Sequence, residues 1–274
     1  MLLLVIPATA RAQSAAELGW SFSGQLSGVF ASGNAEASTF GAGVTMRYQA
    51  EAGELKLEAG GIRTDASRTT RRAVGSPEDY QLEENEVRET TAETYFGRVR
   101  YDRRTGGGTL VFVGADVLRN TFAGIDSRIL LAAGAGKVWT DQDDVRLKTD
   151  WGVTYTFQAD VISNPFLKSS FPGTRVSAEL RRRLTSNARL ESVLVSDLNF
   201  SDTDDLRVDF TNAMPVTVSS AISLKPSLQL LWRNQPALRK VALFSVDGTD
   251  TGMSVTRPFE KLDSLFTLAL VVTL

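Results

Sequence analysis

The stretch Val145–Phe157, VRLKTDWGVTYTF, alternates for thirteen residues without a break. Val145, Leu147, Thr149, Trp151, Val153, Tyr155 and Phe157 share one parity, and Arg146, Lys148, Asp150, Gly152, Thr154 and Thr156 share the other. Successive side chains leave a strand on opposite faces, so the pattern predicts a strand with one uncharged face and one charged face. An ordinary strand runs to about 5–6 residues, and this one is roughly twice that. At ~3.4 Å per residue and a tilt of about 40°, it reaches roughly 33 Å, enough to cross the apolar band of a membrane and project past it.

The same alternation recurs along the chain. Trp20, Phe22, Leu26 and Phe30 share a parity, as do Phe40, Ala42, Val44, Met46 and Tyr48. Leu55, Leu57 and Ala59 oppose Lys56 and Glu58; Tyr95, Val99 and Tyr101 oppose Arg98, Arg100 and Asp102. Further sets centre on Val176–Leu180, Leu190–Phe200, Leu206–Phe210, Ile222–Trp232 and Phe266–Leu274. Segments 109–119 and 128–139 are strand-like but ambiguous in parity. This predicts about twelve strands, many near the ~10-residue length of tilted membrane strands.

The connections alternate in length. Short ones fall at Ala50–Gly53, Arg103–Gly107, Thr140–Asp144, Thr185–Asn187 and Thr217–Ala221. Longer or more variable ones fall at Gly33–Ala37, Asp65–Arg88, Asn120–Ser127, Ala159–Gly173, Ser201–Asp205 and Asn234–Lys261. That rhythm, with an even strand count placing both termini on the short-turn side, predicts an all-β fold: a transmembrane antiparallel up-and-down β-barrel. The uncharged parity then faces lipid and the charged parity the lumen. A soluble β-sandwich would bury the apolar face instead, and a secreted β-domain binding a ligand is the corresponding alternative.

Composition narrows the function. The chain of 274 residues carries a net charge of −2, no cysteine and no histidine. A disulfide framework and a thiolate metal site are thereby excluded. Without histidine the usual partner of a catalytic serine is missing, and so is the commonest zinc ligand. The N-terminus, MLLLVIPATARAQS, has a short apolar run ending in Ala10-Arg11-Ala12, which fits the small-residue cleavage rule before Gln13. Residues 1–12 are therefore expected to be a signal peptide, and 13–274 one barrel domain. The basic stretch that normally precedes such a run is missing, which leaves room for a start upstream of Met1. An exported chain without cysteine fits a bacterial envelope.

Inward positions are expected for the cations Arg47, Lys56, Arg98, Arg100, Arg146, Lys148, Arg175, Arg181, Arg183, Arg207, Lys225 and Arg233. A smaller acidic set, Glu58, Asp102, Asp150, Glu179, Glu191, Asp197 and Asp209, joins them. Two readings stay open: a narrow interior filled by cross-pairing charges, or a narrow pore whose surplus positive charge prefers anions. Trp20, Tyr48, Tyr101 and Trp139 fall near the short-turn ends, and Phe30, Phe157, Phe200 and Trp232 near the long-loop ends, as two interfacial girdles would. Arg182 faces lipid but lies close enough to the Thr185 turn to snorkel. Pro215 and Pro226 flank one short turn and predict a bulge or an early end to pairing there.

Phe122-Ala-Gly-Ile-Asp-Ser-Arg128, running on through AAGAGK to Lys137, resembles the segment that marks the salt-induced outer-membrane protein family, a domain of unknown function. Ser32-Gly33-Asn34, LNFSDTDDLRV (198–208), ISLKPSLQLLW (222–232) and Lys261-Leu262-Asp263 are similar to other parts of it. The resemblance implies an outer-membrane barrel of a Gram-negative envelope with a link to salt or osmotic stress. It brings no catalytic residues. Leu274 departs from the pattern, since such barrels usually end in an aromatic residue read during assembly.

Other chemistry is thinly supported. Ala133-Gly134-Ala135-Gly136-Lys137 looks like a phosphate loop, but Leu131 stands where its first glycine belongs and Val138 where Ser or Thr belongs. Asp202, Asp204 and Asp205 form an acidic loop that is either solvated or binds divalent cations between lipopolysaccharide phosphates; Asp141, Asp143 and Asp144 form a similar group on the other rim. Asp65–Arg88, basic first and acidic second, is expected to pair with itself as a projecting hairpin. A lipid-modifying outer-membrane enzyme, the remaining alternative, is left only an unusual Ser–Lys arrangement. The expectation is thus a non-catalytic monomer, structural or narrowly channel-forming, with no cofactor and no metal. Its partners are outer-membrane lipid, lipopolysaccharide and, during insertion, the barrel-assembly machinery, with no nucleic acid.

Overall fold

The computed structural model describes residues 18–31, 35–75, 80–164, 167–246 and 248–273. The strands are β1 (Gly19–Ala31), β2 (Ala35–Gln49), β3 (Gly53–Gly75), β4 (Tyr80–Gly106), β5 (Thr109–Asn120), β6 (Ile125–Asp141), β7 (Val145–Asp160), β8 (Ser170–Arg183), β9 (Arg189–Asn199), β10 (Leu206–Ala213), a short β11 (Val216–Thr217), β12 (Ile222–Arg233), β13 (Leu238–Phe244), β14 (Asp250–Pro258) and β15 (Leu262–Thr273). Each of β1 to β9 pairs antiparallel with the next, β10 pairs with β12, β12 with β15, and β15 with β1. Twelve strands therefore close on themselves and leave no free edge. Among the described residues no helix is long and apolar enough to cross a membrane, so a crossing falls to the strands.

Accessibility decides which face is which. In β7, Trp151 and Val153 are 59% and 55% exposed, whereas Lys148 and Asp150 are 7% and 4% exposed. A water-soluble barrel would reverse that order. The apolar parity lies outside throughout, from Trp20 and Phe22 on β1 to Phe266, Leu268 and Leu270 on β15. Such an outer face is matched to hydrocarbon, and the closed ladder satisfies the backbone that hydrocarbon cannot. This is a transmembrane β-barrel.

The ambiguous segments resolve into β5 and β6. Leu110, Phe112, Leu130 and Ala132 point inward as a small buried cluster, while Val111, Val113, Ile129 and Leu131 point out. Both faces of these strands are apolar, which is why periodicity alone leaves them undecided.

At the short-turn rim, Gly106, Gly107 and Gly108 all have positive φ (100°, 57° and 76°), a conformation that side-chain-bearing residues avoid. The proline expectation holds at the same rim. β10 stops at Ala213, Met214 donates its N–H to the Pro226 carbonyl (3.0 Å), and pairing resumes only as β11 against β12. The first residue of β1 pairs beside the Ala50 turn, and Thr273 donates to the carbonyl of Ala221, so both ends of the barrel sheet lie on that side.

The opposite rim carries two projections. β3 and β4 pair up to Gly75–Tyr80, well past the last β2 partner at Arg68 and the first β5 partner at Thr94. The Asp65–Arg88 segment is thus a hairpin extension, with a bulge between Thr64 and Asp65; the side chains of its basic and acidic halves lie outside the described ones. The Asn234–Lys261 connection, expected as a loop, contains the separate β13–β14 ribbon. The signal-peptide expectation for residues 1–12 lies outside the described residues.

The girdle aromatics take outward positions. Trp20 packs against Tyr48 at 5.1 Å between ring centroids, the planes tilted by 47°, and Tyr101, Trp139, Phe157 and Phe200 are exposed. Trp139 occupies a bulge and donates its indole N–H to the Thr149 hydroxyl at 2.9 Å. Trp232 is outward by register, opposite Val208 and Leu262, but only partly exposed. The Phe30 side chain lies outside the described ones. Arg182 pairs with Val145 and Leu190 on the outer face, next to the rim.

A cation placed mid-strand on the outer face should separate this barrel from a soluble one. Val153→Arg is expected to lower unfolding free energy in liposomes by about 2–4 kcal/mol, read from the urea midpoint. Surface exposure of Val153 in water would predict almost no change.

Candidate functional site in the barrel interior

The interior is built from long charged side chains, some of which join strands that do not touch one another. Arg100 and Asp102 project from β4, Lys148 and Asp150 from β7, with β5 and β6 between. Arg100 Nε donates to Asp102 Oδ1 (2.6 Å), and Lys148 Nζ lies 2.9 Å from Asp102 Oδ2 and 3.4 Å from Asp150 Oδ2. Arg100 Nη2 stands 2.9 Å from Asp150 Oδ2, which closes a four-membered ring of alternating charge. The Arg100 guanidinium also sits 4.0 Å above the Phe112 ring.

Small residues make room for this ring. A Cβ on Gly136 would collide with the Asp150 carboxylate, and one on Gly152 would approach the tip of Phe112 to 2.9 Å. The AGAGK run is therefore packing chemistry, with Lys137 at the rim donating to the Gly107 carbonyl at 2.7 Å.

A second network lies toward the long-loop rim. Arg175 on β8 grips Asp197 on β9 with two hydrogen bonds (2.7 and 3.0 Å) and reaches Asp116 on β5 at 2.6 Å. Arg128 on β6 donates to the same Asp197 at 3.1 Å. Arg207 on β10 binds Asp205 through Nε and Nη2 (2.8 and 2.7 Å) and Gln158 on β7 through Nη1 (2.7 Å). Asp205, expected in a solvated acidic loop, is instead turned inward onto Arg207 and Asn199. Asp202 caps the turn by accepting the Asp204 N–H. Among the described residues no three acidic side chains are grouped as a metal site.

These networks do not fill the bore evenly. Packing is tightest around β7 and β10, where Lys148 and Asp150 are 9% and 3% accessible as side chains and Arg207 and Asp205 11% and 3%; Arg100 on β4 and Asp116 on β5 keep 28% and 27%. On β2 and β3, Lys56 and Glu58 pair at 2.9 Å yet stay 30% and 25% accessible, and Arg47–Glu54 is similarly open, as is Lys225 on β12, which reaches Glu191 on β9. Arg98 is exposed and, among the described residues, forms no ion pair; its guanidinium lies 5.0 Å from the Phe96 ring centroid. The inward positions of β12, β15, β1 and β2 are mostly small and polar, including Ser227, Thr267, Ser23, Ser27 and Thr45. The result is an eccentric bore, packed along one wall and solvent-accessible along the other.

Each cation and carboxylate assigned inward from the sequence lies on the inward parity of its strand. Arg146, Arg181, Arg183 and Glu179 sit toward the short-turn rim, and Asp209 accepts from Gln229 and Thr211. Sequence reasoning missed Glu54, Asp116, Arg128, Asp160, Asp205 and Asp263, which the register also turns inward. Asp116 and Arg128 were hidden by the two-faced apolar pattern of β5 and β6, and the rest by lying at strand ends. With these carboxylates restored, the interior is close to charge balance rather than strongly basic.

The profile of the DUF481 family, proteins of unknown function, matches residues 24–256. The chain belongs to this family. The family description assigns no role in salt stress. No curated protein sequence matches the chain. Among solved structures it is similar to the NanC porin (TM-score 0.46, 9% identity, covering 92% of this chain and 100% of that one). It is also similar to an outer-membrane channel from Pseudomonas putida F1 (0.44, 11%, 99% and 100%) and to the KdgM porin (0.43, 6%, 93% and 99%). The barrel reading rests on strand register and accessibility, not on these distant likenesses.

The two walls should respond differently to loss of a charge. Lys148→Met leaves two buried carboxylates facing each other and is expected to cost about 3–5 kcal/mol. Lys56→Met, on the accessible wall, is expected to cost under about 1 kcal/mol. Denaturant titration of the refolded barrels measures both.

Proposed function

We propose that this DUF481 protein is a monomeric outer-membrane barrel of a Gram-negative envelope that acts as a narrow channel for small polar solutes. One observation carries the reading: the half of the bore left accessible is lined by hydroxyls and already-paired charges. Paired charges leave little field to favour either ion sign, so weak selectivity is the expected behaviour, with exposed Arg98 tilting it slightly toward anions. Packing along the other wall restricts the bore to well below that of an open sixteen-stranded porin.

In this reading the N-terminal segment directs export, the assembly machinery inserts the barrel, and lipid and lipopolysaccharide surround it. This reading assigns no catalysis, since a chain without histidine leaves a serine nucleophile only a lysine as its base. The resemblance noted in the sequence adds a link to salt stress. That link predicts higher protein abundance when external salt rises, and an unchanged level on quantitative immunoblots would remove it.

Planar-bilayer recording of the refolded protein tests the channel. Small, nearly non-selective conductance steps are expected, and Arg98→Glu should move the reversal potential in a salt gradient toward cation preference. Electrical silence from barrels that still show heat-modifiable migration would instead favour a filled scaffold.

A further inference from the structure

The β5–β6 and β12–β15 connections face each other across the barrel. Four strands separate them on either side, β1–β4 one way and β7–β10 the other. Connections placed so far apart around a wall meet only by crossing the mouth. They do meet. The Gly124 backbone lies against Ala237 and Phe259, such that a Cβ there would come within 3.0 Å of the Phe259 ring and closer still to Ala237. Arg233, rising from the inner face of β12, donates through Nη1 to the carbonyl of Ala123 at 3.2 Å.

The crossing is built and not incidental. Thr121–Ala123 forms one 3-10 turn, capped by Asn120 Oδ1 accepting from the Ala123 N–H at 3.0 Å. Gly124 ends it at φ +72°, where a side chain would be both strained and blocked. Its carbonyl accepts from Val161 N–H at 3.0 Å, which ties the turn to the end of β7. Ala123, Ile125 and Ala237 are buried, Ile125 completely. Phe259 donates its N–H to the Ala237 carbonyl, locking the two halves of the far connection together.

Resting on the channel reading above, we infer that this crossing is a fixed crossbar that sets the size of solute admitted at the long-loop mouth. Gly124, Ala237, Phe259 and Arg233 are its specificity-determining residues. The crossbar is tied down on the β7 side, so the remaining opening lies over the accessible β1–β3 wall, continuous with the open half of the bore. Thr121–Gly124 thereby gains a physical role, because it supplies the glycine-dependent turn on which the far connection rests.

The test uses the refolded full-length barrel in liposomes and sugars of graded size. In Phe259→Ala/Arg233→Gln, tetrasaccharide permeation in swelling assays is expected to rise at least fivefold, with glycerol permeation changed less than twofold. Should the double variant fail to fold, Phe259→Ala alone makes the same comparison. A side chain at Gly124 should break the crossing by itself, because it is strained at φ +72° and blocked by Ala237 and Phe259: Gly124→Val is expected to reproduce the rise in tetrasaccharide permeation. A folded Gly124→Val barrel that keeps the wild-type size limit overturns the crossbar.

A readout that needs no flux separates the two proposals. Ser27→Cys, placed on the inner wall, should react faster with a bulky maleimide from the long-loop side once the crossbar is broken, and equally fast with a small one. If labelling changes this way while no barrel passes glycerol, the channel reading fails and the crossbar stands. If neither labelling nor the sugar limit changes on breaking it, the crossbar is wrong.

Discussion

Hydrocarbon offers no hydrogen bonds, and the architecture of this chain follows from that. A strand whose outer face is Trp, Val, Tyr and Phe can sit in lipid only if every N–H and C=O in it is paired, and a sheet achieves that only by closing. The pairing of β15 with β1 is therefore the contact on which the rest depends. It joins the two ends of the sequence and removes the last free edges. Closure also defines an inside, and with it the one place where the charged parity of every strand can be kept away from lipid.

How those charges are arranged follows from the cost of burying them. An ion taken out of water is tolerable only with a partner in good geometry. Where the wall is packed, the arrangement obliges: Arg175 holds Asp197 at two points, Arg207 holds Asp205 at two points, and Arg100, Asp102, Lys148 and Asp150 form a closed ring. Where the wall is open the pairs are more solvent-exposed, and among the described residues Arg98, set between Glu58 and Asp116 across the sheet, makes no ion pair. Gly136 on β6 and Gly152 on β7 leave the space in which the packed wall forms. Filled scaffold and open pore, the alternatives that composition leaves standing, thus describe opposite walls of the same bore.

The long-loop rim follows a different logic. Its connections are free of the strand ladder and can fold back over the opening, as the Thr121–Gly124 turn does toward Ala237 and Phe259. Barrel strands fix where such connections start but not where they lead. The β13–β14 ribbon shows the same freedom, pairing only with itself above the barrel.

Much of this was legible before any fold was seen. Alternation along Val145–Phe157 marked β7 to within its last three residues (158–160) and showed which parity meets lipid, because a strand has only two faces and lipid refuses one of them. The alternation of short and long connections implied up-and-down order with both ends at one rim, and prolines 215 and 226 marked where a ladder must break. The neighbours of Asp116 and Arg128 were not legible, because β5 and β6 are apolar on both faces and period-two reading needs a contrast. Nor were the inward turn of Asp205, the charge balance of the bore or the crossing of its mouth. Those depend on strands and loops far apart in sequence and brought together by closure, and periodicity carries no information about the far side of a barrel.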